Sequence, residues 1–75
     1  MEQTRDKALL QKIALHIKAL REAKGLSQEQ FYNETDIHIG RIETGKVNIS
    51  VSTLSKLCNY FGILLSDFFK CIEAL

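Results

Sequence analysis

Residues 25–46 read GLSQEQFYNETDIHIGRIETGK, and their punctuation decides what kind of chain this is. Gly25 supplies the left-handed conformation that ends a preceding helix, and Leu26 can then fold back onto Leu20. Ser27-Gln28-Glu29-Gln30 has the form of a capping box, in which the serine hydroxyl and the Gln30 amide each satisfy the other's free backbone N–H. The helix opened there is short and ends near Asn33. Thr35 can cap the next, with Ile39 and Ile42 facing inward and Gly45 as its terminator. The stretch therefore predicts two short helices joined by a tight link.

The flanks extend the pattern. Upstream, a first helix runs from about Arg5 to Lys24 with Thr4 as its cap, and Leu9, Ile13, Ile17 and Leu20 recur at the three- and four-residue spacing of a buried stripe. Downstream, Ser50 caps a fourth helix, where Ile49 and Leu54 have the spacing of a hydrophobic staple. Its core face is Leu54, Leu57, Cys58 and Phe61, and Gly62 ends it. A fifth helix spans roughly Ser66 to Ala74 with Phe68, Phe69 and Ile72 apolar. Strand-like alternation is nearly absent, and the sequence contains no proline, linker or repeat. The fold class that follows is all-α: a compact five-helix domain.

Composition narrows the function. A 75-residue chain with 45% hydrophobic content is one small domain rather than a disordered tail. No apolar run has transmembrane length, and the polar start MEQTRDK is unlike a signal peptide, so a soluble cytoplasmic protein is expected. Cys58 and Cys71 lack CxxC spacing and have only two scattered histidines for company. They read as reduced, packing cysteines, and no metal site is expected. No catalytic constellation and no phosphate-binding glycine loop is evident, so neither an enzyme nor a cofactor or small-molecule ligand is expected. The net charge of +1 is low for a nucleic-acid binder. The arrangement of the charges matters more than their sum.

The order of these elements resembles a known family. LREAKGLSQEQF, then GRIETGKVNISVSTLSKLCNYFGI and, more loosely, LLSDFF are similar to the phage-repressor and Cro type of helix-turn-helix domain, the XRE family, in a compact bacterial form. The likeness covers roughly Ile13 to Phe69. It implies a repressor-like fold in which helices 2 and 3 form the helix-turn-helix. Residues 1–75 then make one domain: an N-terminal extension of helix 1 over about 1–12, the motif over about 27–45, and C-terminal helices over about 51–61 and 66–74.

The resemblance also implies a division of labour. Arg21 and Glu43 match two residues that pair inside the domain, an architectural role; the alternative is two independent surface charges. Gln28 matches a position at the start of the second helix that contacts the DNA backbone, where free N–H groups favour a phosphate. Thr44, Gly45, Lys46 and Asn48 occupy the loop that grips the next phosphates, or are simply solvated turn residues.

One departure stands out. The stretch from Ser27-Gln28 to Ile42-Glu43 is shorter than the family's by close to one helical turn, and the loss is expected at the end of the second helix and the link after it. With Thr35 as cap, a helix around 36–43 would enter the major groove with Ile37, His38, Gly40 and Arg41 as base or groove contacts. Asp36 reads best as a helix-start residue favoured by the dipole. Ile37 either packs on a thymine methyl or tucks back against the domain, with the helix starting one turn later. His38 either donates to a base edge or phosphate, or is solvated. Gly40 either admits a close DNA backbone or relieves crowding against the second helix. Arg41, with its planar fork, is the strongest candidate for reading guanine or holding a phosphate.

Members of such a family generally bind paired half-sites as two-fold dimers. Leu64 stands where a polar helix cap is usual, and Phe69, Ile72 and Leu75 extend the apolar stripe, so these four form the expected homodimer surface. The functional expectation is a sequence-specific DNA-binding transcriptional regulator, a repressor acting on an inverted-repeat operator in double-stranded DNA. The competing reading is a protein-interaction module on the same fold, such as a partner-neutralising subunit with a decayed DNA face; low net charge and Asp36 favour it.

Overall fold

The computed structural model describes residues 6–75, and among these it contains five helices and no strand: α1 (Lys7–Ala23), α2 (Gln28–Thr35), α3 (Ile39–Ile42), α4 (Val51–Phe61) and α5 (Leu65–Glu73). The expected cap at Thr4 and helix start at Arg5 lie outside the described residues. Within them α1 is capped by Asp6, whose carboxylate accepts from the Leu9 N–H at 3.0 Å. The buried stripe of α1 is Leu10, Ile13, Ala14, Ile17 and Arg21. Ile13 and Ile17 were expected there and Leu20 packs at the edge, but Leu9 is 37% exposed. At 100° per residue the buried arc is centred between Ile17 and Leu10, with Ile13 and Ala14 on its two sides, and Leu9 falls on its margin.

The α1 terminus follows its sequence signals. Gly25 is left-handed (φ 70°), its N–H donates to the Glu22 carbonyl, and the Leu26 N–H reaches back to that of Arg21. Those two bonds make a Schellman motif and turn Leu26 onto the core. The capping box also forms: the Ser27 hydroxyl accepts from the Gln30 N–H at 3.0 Å, and the Gln30 amide oxygen accepts from the Ser27 N–H at 2.8 Å.

The link between α2 and α3 departs from expectation. Thr35 is not a cap; it is the last residue of α2 and is buried. Its hydroxyl donates to the Phe31 carbonyl at 2.8 Å and accepts from the Ile37 N–H at 3.1 Å, satisfying two backbone groups at the turn. Asp36 follows as a left-handed C-cap (φ 61°), not as a helix-start residue, and an aspartate is among the few side chains that tolerate that conformation. The Ile39 N–H then bonds the Ile37 carbonyl at 2.8 Å across His38, an inverse γ-turn. The second helix therefore runs past Asn33, and the economy falls on the third, which is a single turn. The Lys56 ammonium donates to the Thr35 carbonyl at 3.0 Å, placing a cation at the negative end of α2.

Ser50 caps α4 through the Thr53 N–H at 3.1 Å, whereas Leu64, at the N-cap position of α5, offers no side-chain cap. All five helices feed one core. Its fully buried members are Ile17 from α1, Phe31 from α2, Ile39 from α3, Leu57 from α4, and Phe68 and Ile72 from α5. Phe31 is the pivot, with Tyr60 and Phe61 rings at 4.9 and 5.6 Å from its own. Cys58 lies in this core as a free thiol, its pKa raised by burial, while the Cys71 thiol is free and exposed.

Candidate nucleic-acid interface

The site begins with a frame of three side chains. The Arg21 Nε donates to Glu43 Oε2 at 2.7 Å and its second terminal nitrogen to Oε1 at 2.9 Å, a two-pronged pair. Its remaining nitrogen donates to the Leu26 carbonyl at 2.7 Å. Gln28 completes the frame by donating from Nε2 to Glu43 Oε1 at 3.1 Å. The helix α1, the turn after it, the start of α2 and the end of α3 are thus tied together at one carboxylate. The pair is enclosed, with 9% and 5% of the two side chains exposed. Burial alone would push the Glu43 carboxyl up; the Arg21 and Gln28 hydrogen bonds and the charges of Arg21 and Lys18 outweigh it and hold the pKa below its ordinary value. The Arg21 guanidinium is correspondingly raised, chiefly by its hydrogen bonds to Glu43.

The frame holds the exposed side of α3 beside the start of α2. Arg41 projects into solvent between two shallow grooves. One is bordered by Gln28, Glu29, Tyr32, His38 and Gly40, the other by Asp36, Asn48, Ser50, Thr53 and Lys56. His38 is exposed at the start of α3, and its ring lies 4.5 Å from that of Tyr32. Thr44, Lys46 and Asn48 are exposed on the loop leading to α4. The Thr44 hydroxyl donates to the Arg41 carbonyl at 2.6 Å and is within 3.3 Å of the Lys46 N–H, so it organises the turn. Gln28, His38, Arg41 and Asn48 thus border two grooves that meet at Arg41, while Thr44 and Lys46 line grooves against α1 with Gln11.

Three of the expected site residues are not placed as expected. Ile37 is 8% exposed and part of the core, because the left-handed Asp36 turns the chain inward before α3 starts; it is no groove contact. Gly45 is buried, its N–H already bonded to the Ile42 carbonyl, and a Cβ there would come within 3.4 Å of the Gln11 backbone. It lets the loop pass close to α1 and has no free donor for a phosphate. Gly40 is half-buried, and a Cβ on it would stand 3.0 Å from the Gln28 amide oxygen. Of the two readings of Gly40, relief of crowding against the second helix is the one with a visible neighbour.

At the other end, the expected dimer surface divides. Leu64 and Leu75 are 67% and 64% exposed, Phe69 is half-buried, and Ile72 is fully buried. Ile72 belongs to the core because it follows Phe68 by one helical turn on the inward face of α5.

Two neighbours of the site escaped the sequence reading. Tyr32 flanks His38, and its position one turn after Gln28 on α2 was the signal available. Lys56 borders the groove from α4, and nothing local in the sequence links it to the α2 terminus.

Comparison with known proteins agrees with this geometry. The profile of a family described as "Helix-turn-helix" matches residues 17–68. The chain belongs to the helix-turn-helix family. A curated relative, "Control protein C.MunI" from Mycoplasma sp, is 41% identical over 61 residues, covering 76% of this chain and 82% of the relative. No solved structure matches the chain. Family and relative together make the protein a DNA-binding regulator of transcription of the XRE type. Among the described residues no helix is long and apolar enough to cross a membrane.

Proposed function

We propose that this protein is a sequence-specific repressor that binds an inverted-repeat operator as a homodimer in the cytoplasm, and that it catalyses no reaction. The observation that carries the reading is the Arg21–Glu43–Gln28 frame, which fixes the single turn of α3 with Arg41 and His38 outward. In the proposed complex Arg41 reads a base edge with its planar fork, or seats on a phosphate at the groove wall. His38 donates beside it, supported by the Tyr32 ring. Gln28 and Lys46 grip phosphates on either side, which sets the register of the protein without reading sequence. Leu64 and Leu75, exposed at the two ends of α5, support a two-fold contact along that helix that would place two α3 turns on successive half-sites.

Selection from a randomised DNA pool with the purified protein, followed by salt titration on the enriched sequence, tests the proposal. The expected result is an inverted repeat bound with steep salt dependence, whose slope falls by about one when Lys46 becomes alanine. Failure to bind even at low salt would overturn it and turn attention to protein partners.

A further inference from the structure

Gly40 lies within a helix of one turn, where alanine would serve the backbone better, and its surroundings say why. The missing Cβ would sit 3.0 Å from the Gln28 amide oxygen and 3.5 Å from its amide carbon. That same amide donates to Glu43 at 3.1 Å from its nitrogen. An alanine at position 40 would need the amide to move by a few tenths of an ångström, and that movement acts on the group that Glu43 orients. Gln28 is exposed and ends a flexible side chain, so the fold can absorb this movement cheaply.

We infer that Gly40 is a positioning residue for Gln28: it makes a notch in α3 that seats the Gln28 amide against Glu43 and leaves its second N–H directed outward for a DNA phosphate. An amide nitrogen carries two protons. One is held by Glu43, which fixes the plane of the amide, and the other is free to donate. Gly40 then acts on DNA through Gln28, and its own lack of a side chain is not read by the groove. This rests on the DNA-binding reading above and assigns a role within that interface.

The test is a double-mutant cycle with Gly40→Ala and Gln28→Ala, read as affinity for a mixed-sequence DNA duplex at low salt. That probe suits phosphate contacts because they are independent of sequence. In the Gln28 background Gly40→Ala weakens binding by about tenfold, while in the Gln28→Ala background it changes binding by less than about twofold. Thermal unfolding of Gly40→Ala stays at the wild-type value or above it, because alanine favours the helix. An equal loss in both backgrounds would overturn the inference, as would no loss in either. A second readout needs no DNA: in the amide NMR spectrum of the free protein, the Gln28 proton bonded to Glu43 shifts upfield in Gly40→Ala. An unmoved resonance would refute the seating. If the wild type fails to bind any duplex while the resonance moves, the notch stands and the DNA reading falls.

Discussion

Replacing Arg21 by alanine is the sharpest test of the frame. The substitution removes two charge-assisted bonds to Glu43 and one to the Leu26 carbonyl, and it leaves a carboxylate whose side chain is 5% exposed with Gln28 as its remaining donor. Stranding one partner of an enclosed pair costs about 3–5 kcal/mol, and water entering the vacated space should bring this toward the lower figure. In a domain whose total stability is on the order of 5–10 kcal/mol, that is a large fraction. The pH dependence has a definite sign. The wild-type Glu43 pKa is depressed, so its contribution is present above the ordinary value of 4.5 and is lost as pH falls through the lower folded-state value. Without Arg21 the depressing influence is mostly gone and burial pushes the carboxyl up. The gap between wild type and Arg21→Ala should therefore narrow as the medium is acidified. Urea unfolding near neutral pH and again at about pH 4 measures both quantities. A deficit below about 1 kcal/mol, unchanged by acid, would mean an ordinary surface pair and would refute the frame. Replacing both partners, Arg21→Met with Glu43→Leu, should restore most of the stability, since no uncompensated charge remains.

Two further substitutions separate core from surface. Ile37→Ala should cost about 2–4 kcal/mol of unfolding free energy and leave the selected DNA sequence unchanged; unaltered stability with an altered base preference would return Ile37 to the groove. Leu64→Ser supplies the missing side-chain cap of α5, so it should raise monomer stability by about 1 kcal/mol, read from unfolding in dilute solution. The same change should weaken self-association in the ultracentrifuge, and an unaltered dimer would remove Leu64 from the interface.

The helix ends were largely legible in the sequence because each is written in local chemistry. Gly25, the Ser27–Gln30 box, Ser50 and Gly62 act within a few residues of themselves, so their spacing suffices. The Arg21–Glu43 pair was legible only through resemblance, since nothing local joins two positions on different helices. What misled was Thr35. A threonine before an apolar run is a good helix cap, but a threonine at the end of a helix can equally bond back to the carbonyl one turn earlier. Here the second use wins, because it lets one hydroxyl serve both the Phe31 carbonyl and the Ile37 N–H while Ile37 enters the core. Choosing between the two needs knowledge of which side of Ile37 is dry, and that is a tertiary fact. The misplacement of Ile72 has the same origin: an apolar residue on a terminal helix is core or interface according to what packs above it.

A third helix of a single turn limits how such a protein can read DNA. With α3 reduced to one turn and Ile37 withdrawn into the core, the outward residues of that turn are His38 and Arg41, with Gly40 filled by the Gln28 amide. A reading element this small gives each protomer few base contacts, and each good bidentate contact contributes only about 1–3 kcal/mol of discrimination. Specificity on the proposed reading then depends on doubling the element through a two-fold dimer, while affinity depends on phosphate contacts from Gln28 and Lys46. Precision in placing those phosphates becomes worth more than in a domain with a longer helix. That is a physical reason for tying the start of α2, the end of α1 and the end of α3 to a single enclosed carboxylate, even though the net charge of +1 offers little general attraction to DNA.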